Sequence, residues 1–325
     1  MKTTIDWLKF RSKRNHFEIL DLVRPAFGTV GEMLEMTTGL KPRDGWLYAA
    51  EITIPDHQIA RIDYGGDSQN GWVRFDMPGS GCAWVQDWEY LERTFSDNSQ
   101  ILDSEITRID IAFTTSDPSV VCDQKVVEAF EAGHFICGGR PPAMRSITNS
   151  DPTSGKTRYI GKRENHKFLR CYEKGWEMFK DLPESAEFLR KPGVQVAMDH
   201  MGMVNVQDVY RVELELKNVD KYIPWSAIGR RDEVFAGAYP FCAELLPDAP
   251  HWVMQEMPSF KPRAALLAAL GNAFRSYGGT WKAAHLAYGG DDVALLRLAK
   301  EMLASEPSRH LVESGVLTVD HEPIF

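Results

Sequence analysis

Hydrophobic positions along the chain switch between a period of two and a period near 3.6, and the switches outline the elements. Residues 3–10 (TIDWLKFR) alternate weakly and predict a strand. Phe17, Ile19, Leu20, Leu22 and Val23 predict a helix that ends near Pro25. Strands are expected over 46–54, 58–65, 70–77 and 106–114, with helices over 84–96 and 119–133, the latter stopping at Gly133. Residues 157–161 and 167–174, joined by the polar turn KREN (162–165), read as a β-hairpin. Residues 184–203 read as helical with a break at Pro192, and 209–217 (VYRVELELK) as a strand.

Beyond Leu246 the texture changes. Pro247, Pro250, Pro258 and Pro262 mark a linker over 246–262. Leu266, Leu267, Leu270, Ala273, Phe274 and Tyr277 form one helical stripe over 263–277. Thr280 and Asp291 are expected to cap helices over 281–288 and 291–304, and a short helix should follow Pro307. The fold expected is α+β. A mostly antiparallel sheet with helices packed on one face fills residues 1–245, and a small helical domain fills 263–325.

The strands share a grammar. Arg74 and Asp76 lie on one face of their strand, opposite Val73, Phe75 and Met77. Arg108 and Asp110 oppose Ile109, Ile111 and Phe113. Arg170, Tyr172 and Lys174 oppose Leu169 and Cys171, while Arg211, Glu213 and Glu215 oppose Val212, Leu214 and Leu216. A solvated sheet face with cross-strand ion pairs accounts for any one of these. Four repeats of Arg two residues before an acid or tyrosine ask for more. With neighbouring strands, Asp76, Asp110 and Glu213 converge into an oxygen-rich set suited to Mg²⁺ or Mn²⁺. Tyr172 stands between two cations. Cations stabilise a phenolate, and a metal polarises a phosphodiester, so this strand has the residues for tyrosine-mediated phosphoryl transfer.

Charge sharpens the picture. The net charge is −9, which taken alone counts against a nucleic-acid partner. Between Arg140 and Lys180, however, ten Lys/Arg face four acids, a local +6 that leaves −15 for the rest. Arg158, Lys162, Arg163 and Lys167 of this basic island flank the hairpin turn and are candidate phosphate contacts. The five cysteines are scattered without a CxxC pair, and the nine histidines show no metal-ligand spacing. The N-terminus lacks a signal-peptide core and no apolar run spans a membrane, so a bacterial cytoplasm is expected. SGKT (154–157) fails as a phosphate-binding loop, because Ser150 replaces the first glycine and a strand follows.

These residues resemble a known family. TRYIGKRENHKFLRCYEKGWE (157–177) is similar to the hallmark segment of the replication initiation factor family, whose members start rolling-circle replication of phages and plasmids. The matching positions are Tyr159, Gly161, Arg170, Tyr172, Lys174 and Glu177. TRIDIAF (107–113) resembles the family's Arg-x-Asp strand, YRVELELK (210–217) its Arg-x-Glu-x-Glu strand, and TIDWLKF the usual opening of phage members. The resemblance implies a nickase in which Tyr172 attacks origin DNA (single-stranded or extruded as a hairpin), with Arg170 and Lys174 beside it. Tyr159 is the rival nucleophile. Asp110 and Glu213 would ligate a divalent cation, Mg²⁺ or Mn²⁺, with Asp76 or Glu215 as a third ligand. Thr114 departs from the pattern where the family often has a second acid. A host helicase and the replication machinery are expected partners, and a homodimer is one expected arrangement. A metal-dependent nuclease that activates water and a non-catalytic DNA-binding regulator are the alternatives.

Overall fold

The computed structural model describes residues 2–97, 103–138, 140–148, 155–179, 195–198, 202–205, 208–219, 221–252 and 277–302. Contacts divide the chain into two compact units, Met1–Met257 and Pro258–Phe325.

The first unit is built on a ten-stranded antiparallel sheet. Its strands are β1 (Thr3–Ser12), β2 (Glu35–Thr38), β3 (Tyr48–Ile54), β4 (His57–Tyr64), β5 (Val73–Pro78), β6 (Glu105–Thr115), β7 (Met144–Thr148), β8 (Lys156–Ile160), β9 (Lys167–Glu173) and, after a separate ladder of β10 (Gln195–Met198) and β11 (Gly202–Asn205), β12 (Tyr210–Lys217). Their order is β2-β3-β4-β5-β1-β6-β12-β9-β8-β7. Chain-local hairpins make the two flanks. The centre needs long-range pairing: β1 joins the flanks at β6, and β12 inserts between β6 and β9.

The alternation decides which face is buried. Leu8, Phe10, Phe75, Ile109, Ile111, Leu169, Leu214 and Leu216 are at most 1% exposed. Burying each such side chain contributes about 1.5–3 kcal/mol. Helices His16–Val23, Trp88–Asp97, Asp123–Glu131, Arg231–Ala236 and Pro240–Leu245 contribute buried apolar side chains to this core. Phe10 stacks on Phe75 at 4.8 Å, and Trp225 closes over Phe95 at 4.6 Å. The first helix starts where Asn15 accepts from the backbone of Phe17 and Glu18 while Glu18 reaches back to Asn15, a capping box.

Several expectations shift. The helical reading of 184–203 is overturned at its end: Gln195–Met198 and Gly202–Asn205 form an antiparallel ladder that pairs Val196 with Val204. The β-branched Val196 and Val204 suit that ladder better than a helix. Residues 184–194 lie outside the described residues, as do the stripe before Tyr277 and the segment after Pro307. The helix expected from Trp84 begins at Trp88, and the one expected from Ser119 begins at Asp123. The stretch read as linker starts inside the first unit, since Leu246 is 1% exposed and Ala249 and Trp252 pack against the core.

In the second unit, a helix runs through 277–287, so Thr280 lies within it rather than capping it. Asp291 accepts from the backbone N–H groups of Val293 and Ala294 and caps Asp292–Met302.

Candidate active site

The polar face of β1, β6, β12 and β9 brings most of the candidate residues together. Register sets it: Glu213 stands opposite Arg170, Arg211 opposite Tyr172, and Glu215 opposite Asp110. The Tyr172 hydroxyl crosses diagonally to donate to Glu213 Oε2 at 2.8 Å. Arg170 Nη2 donates to Glu213 Oε1 and lies 3.4 Å from Asp110 Oδ2, so one guanidinium nitrogen bridges two carboxylates. Arg108 grips Asp110 through Nε (2.8 Å) and Nη2, and reaches Glu215 at 3.0 Å. Asp110, Glu213 and Glu215 are buried.

Two residues without a sequence-assigned role complete the surroundings of the tyrosine. Arg211 is pinned by Asp6 at 2.7 Å and by the Thr114 hydroxyl at 2.9 Å. The threonine that departs from the family pattern thus orients a cation beside Tyr172. Asp6 escaped notice because the β1–β6 register slips between Ile5 and Trp7. That bulge breaks the alternation.

Burial and the Glu213 charge push the Tyr172 hydroxyl well above the ordinary tyrosine range, while Arg211 pulls the other way. The cations expected to hold a phenolate are engaged elsewhere. Arg170 serves the carboxylates, and Lys174 pairs with Glu177 at 2.6 Å, its Nζ 5.8 Å from the Tyr172 ring centre. The neutral phenol is therefore the resting state, hydrogen-bonded to a potential base. Burial raises Asp110 to about 7, with Arg108 opposing and Glu213 and Glu215 adding to the rise. Burial also raises Asp6, against the pull of Arg211.

The remaining candidates separate. Asp76 accepts from Trp7 Nε1 and pairs with Lys9, both at 2.7 Å, on the far side of β1 from Asp110. Glu215 is filled by Arg108, Lys217 (2.7 Å) and Arg163 (3.3 Å). Among the described residues, no group of three or more His, Cys, Asp or Glu side chains is arranged to hold a metal ion. Asp110 and Glu213 do face one cation position, the one taken by Arg170 Nη2. Two hard oxygen donors fit Mg²⁺ or Mn²⁺ there, without Asp76 or Glu215.

In the hairpin, alternation splits the basic residues. Lys162 is exposed in the turn and the Arg163 side chain is 55% exposed. Arg158 and Lys167 turn to the helix-packed side. Arg158 forks onto Asp123 at 2.8 and 2.7 Å, and Lys167 Nζ donates to the Ala238 carbonyl and sits 3.8 Å from the Tyr239 ring centre. Tyr159 stands beside Arg170 but lies against Phe168, with Arg145 over its ring at 5.0 Å.

The family model described as replication initiation factor matches residues 104–257. Among solved structures, the chain is similar to the rolling circle replication initiator protein from Geobacillus stearothermophilus, at 16% identity and a TM-score of 0.49 over 80% of this chain and 92% of that one. No curated protein matches the sequence. Asp110, Arg170, Tyr172, Glu213 and Glu215 all fall within residues 104–257, the stretch that matches the replication initiation factor model, the family their motifs resemble.

Proposed function

We propose that the protein starts rolling-circle replication by nicking one strand of origin DNA with Tyr172. The observation that carries this reading is the hydrogen bond from Tyr172 to Glu213, a nucleophile already paired with a base. The Tyr172 oxygen attacks the scissile phosphorus as its proton passes to Glu213. The Oη–P bond forms, the P–O3′ bond breaks, and the 3′ oxygen leaves as a hydroxyl, taking its proton from solvent water. The 5′-phosphate stays on Tyr172 and the free 3′-OH primes synthesis. A second transesterification reverses the roles and rejoins the strand. Since one phosphodiester replaces another, no nucleotide hydrolysis is required.

Arg211, across the register from Tyr172 and held by Asp6, offsets charge building on the phenol oxygen. Asp110 and Glu213 would hold a divalent cation once Arg170 swings to the phosphate, and that cation would supply charge neutralisation at the phosphoryl oxygens. The exposed turn cations Lys162 and Arg163 are placed to meet flanking phosphates. A host helicase would extend the opening made by the nick.

The test is incubation with Mn²⁺ and single-stranded oligonucleotides tiling the replicon, followed by mass spectrometry of the protein. A covalent DNA adduct at Tyr172 is expected. Cleavage without an adduct would assign the site to water activation, and binding without cleavage would make the protein a regulator.

A further inference from the structure

The polar face of the sheet continues past the tyrosine cluster into β1 and β5, outside the segment that matches the family model. The first step along it is Trp7, whose ring lies 4.4 Å from the Arg108 guanidinium that grips Asp110. Next come Arg74 and Trp72. Val73 is buried, so alternation turns its neighbour Trp72 to the opposite face. There Arg11 and Lys13 sit 4.4 and 4.5 Å from the Trp72 ring centre. Trp46 adds a further ring, 5.5 Å from Arg74.

Core packing does not account for this arrangement. Trp72 is a large, half-buried ring immediately before β5, held among cations. Residues 9–14 supply Lys9, Arg11, Lys13 and Arg14 with no acid among them, in a chain whose net charge is −9. Acids from elsewhere pair with three of these, Asp76 with Lys9, Glu105 with Arg11 and Glu18 with Arg14, while Lys13 is exposed and donates to the Asn70 carbonyl. Rings alternating with cations along a sheet face suit bases that stack and phosphates that follow them. The face is also continuous with the cluster. Four inter-strand steps, through β12, β6 and β1, separate β9 from β5, which is ~19 Å at ordinary strand spacing. A strand anchored at Tyr172 reaches that far well within the ~4–16 nucleotides of a usual single-strand site.

We infer that Trp72, with Arg11 and Lys13, forms a stacking platform for single-stranded DNA flanking the scissile phosphate. The inference rests on the nickase reading only for the identity of the ligand, and binding is measured separately from cleavage.

The experiment uses the full chain in a Tyr172→Phe background, so that nothing is trapped covalently. The probes are a fluorescent twenty-nucleotide oligodeoxythymidylate and a duplex of the same length, read by anisotropy. Trp72→Leu should weaken binding of the single strand by roughly 5- to 150-fold, the value of stacking one base. Trp72→Phe, which keeps a ring, should retain most of the affinity. Lys13→Ala, at an exposed position, should reduce the salt slope by about 0.7, the single-strand value for one phosphate. If Trp72→Leu fails to fold by circular dichroism, the Lys13→Ala slope decides. Binding within twofold of the parent for Trp72→Leu, an unchanged slope for Lys13→Ala, or preference for duplex each overturns the platform. Adduct formation by the Tyr172 protein is scored apart, so a failed platform with an intact adduct, or the reverse, shows which of the two readings has fallen.

Discussion

In the proposed reaction Tyr172 and Glu213 are the smallest unit, and the chemistry expected of them follows from burial. A phenol in a partly buried site beside a carboxylate does not ionise on its own, because both effects favour the protonated form. Proton removal must coincide with attack. Tyr172→Phe should therefore abolish the covalent adduct while the fold survives, with a loss of about 1–3 kcal/mol because Glu213 Oε2 loses its donor. Glu213→Gln should lower the nicking rate by about 10²–10⁴ and leave DNA affinity nearly unchanged. If Tyr159→Phe stops adduct formation and Tyr172→Phe does not, the nucleophile is Tyr159. Single-turnover nicking assays with mass detection check all three variants. The sequence made this tyrosine visible because period-two alternation places Arg170 and Tyr172 on one face. It did not reveal Glu213 as the hydrogen-bond partner, since which strand lies next to which is a matter of long-range register.

Asp110 carries the pH dependence. Its proton is held up to about 7, whereas an unfolded aspartate releases it near 4. A cation needs the ionised form, so metal-dependent nicking should fall roughly tenfold per unit as pH drops below about 7 and level off above it. Stability runs the opposite way. The folded state binds this proton more tightly than the unfolded chain. The contribution is fully present below pH ~4 and is lost as pH rises through about 7. Asp110→Asn cannot titrate, so its urea midpoint should lack this share of the pH slope between pH 5 and 8. Asp110→Ala is a harsher change. It leaves Arg108 and Arg170 short of a buried partner, and about 3–5 kcal/mol of stability should go with it.

At the scale of elements, the hairpin β8–β9 shows how alternation gives one basic island two jobs. Arg158 looked equivalent to Lys162 in the sequence, because charge counting is blind to faces. In the structure Arg158 anchors the helix Asp123–Glu131 through Asp123, whereas Lys162 is exposed in the turn. Arg158→Ala should lower the melting temperature and leave the salt slope of DNA binding unchanged. Lys162→Ala should do the reverse, reducing the slope by about 0.7 on single strands. Equal effects of both variants on the slope would contradict this division. β5, β6, β9 and β12 were legible because each sets an apolar face against a polar one, whereas the exposed strands β2 and β7 carry no such face and were not expected. The β10–β11 ladder was not, since four-residue strands offer too short a pattern to separate from a helix. Asp6 was hidden for a related reason, as a bulge removes the periodicity that would have placed it on the polar face.

At the scale of the molecule, the proposed function raises the question of which part would hold DNA. A net charge of −9 gives weak long-range attraction, so affinity must come from local contacts on the polar sheet face or from the helical unit that follows it. The tyrosine cluster, the turn cations and the Trp72 surface all belong to the first compact unit, Met1–Met257. That unit holds its own core, and Leu246, Ala249 and Trp252 pack onto it, so cutting near residue 246 would expose apolar surface while cutting after Met257 would not disturb them. A chain ending at Met257 should therefore unfold cooperatively and form the adduct. It should also keep a salt-dependent affinity for single-stranded DNA, whatever the helical unit adds for origin choice. Urea denaturation, adduct formation and anisotropy titrations at 50 and 200 mM salt measure the three properties. A truncated chain that folds and binds no single strand would move the main contact into Pro258–Phe325, and with it the explanation for how an acidic protein finds its origin.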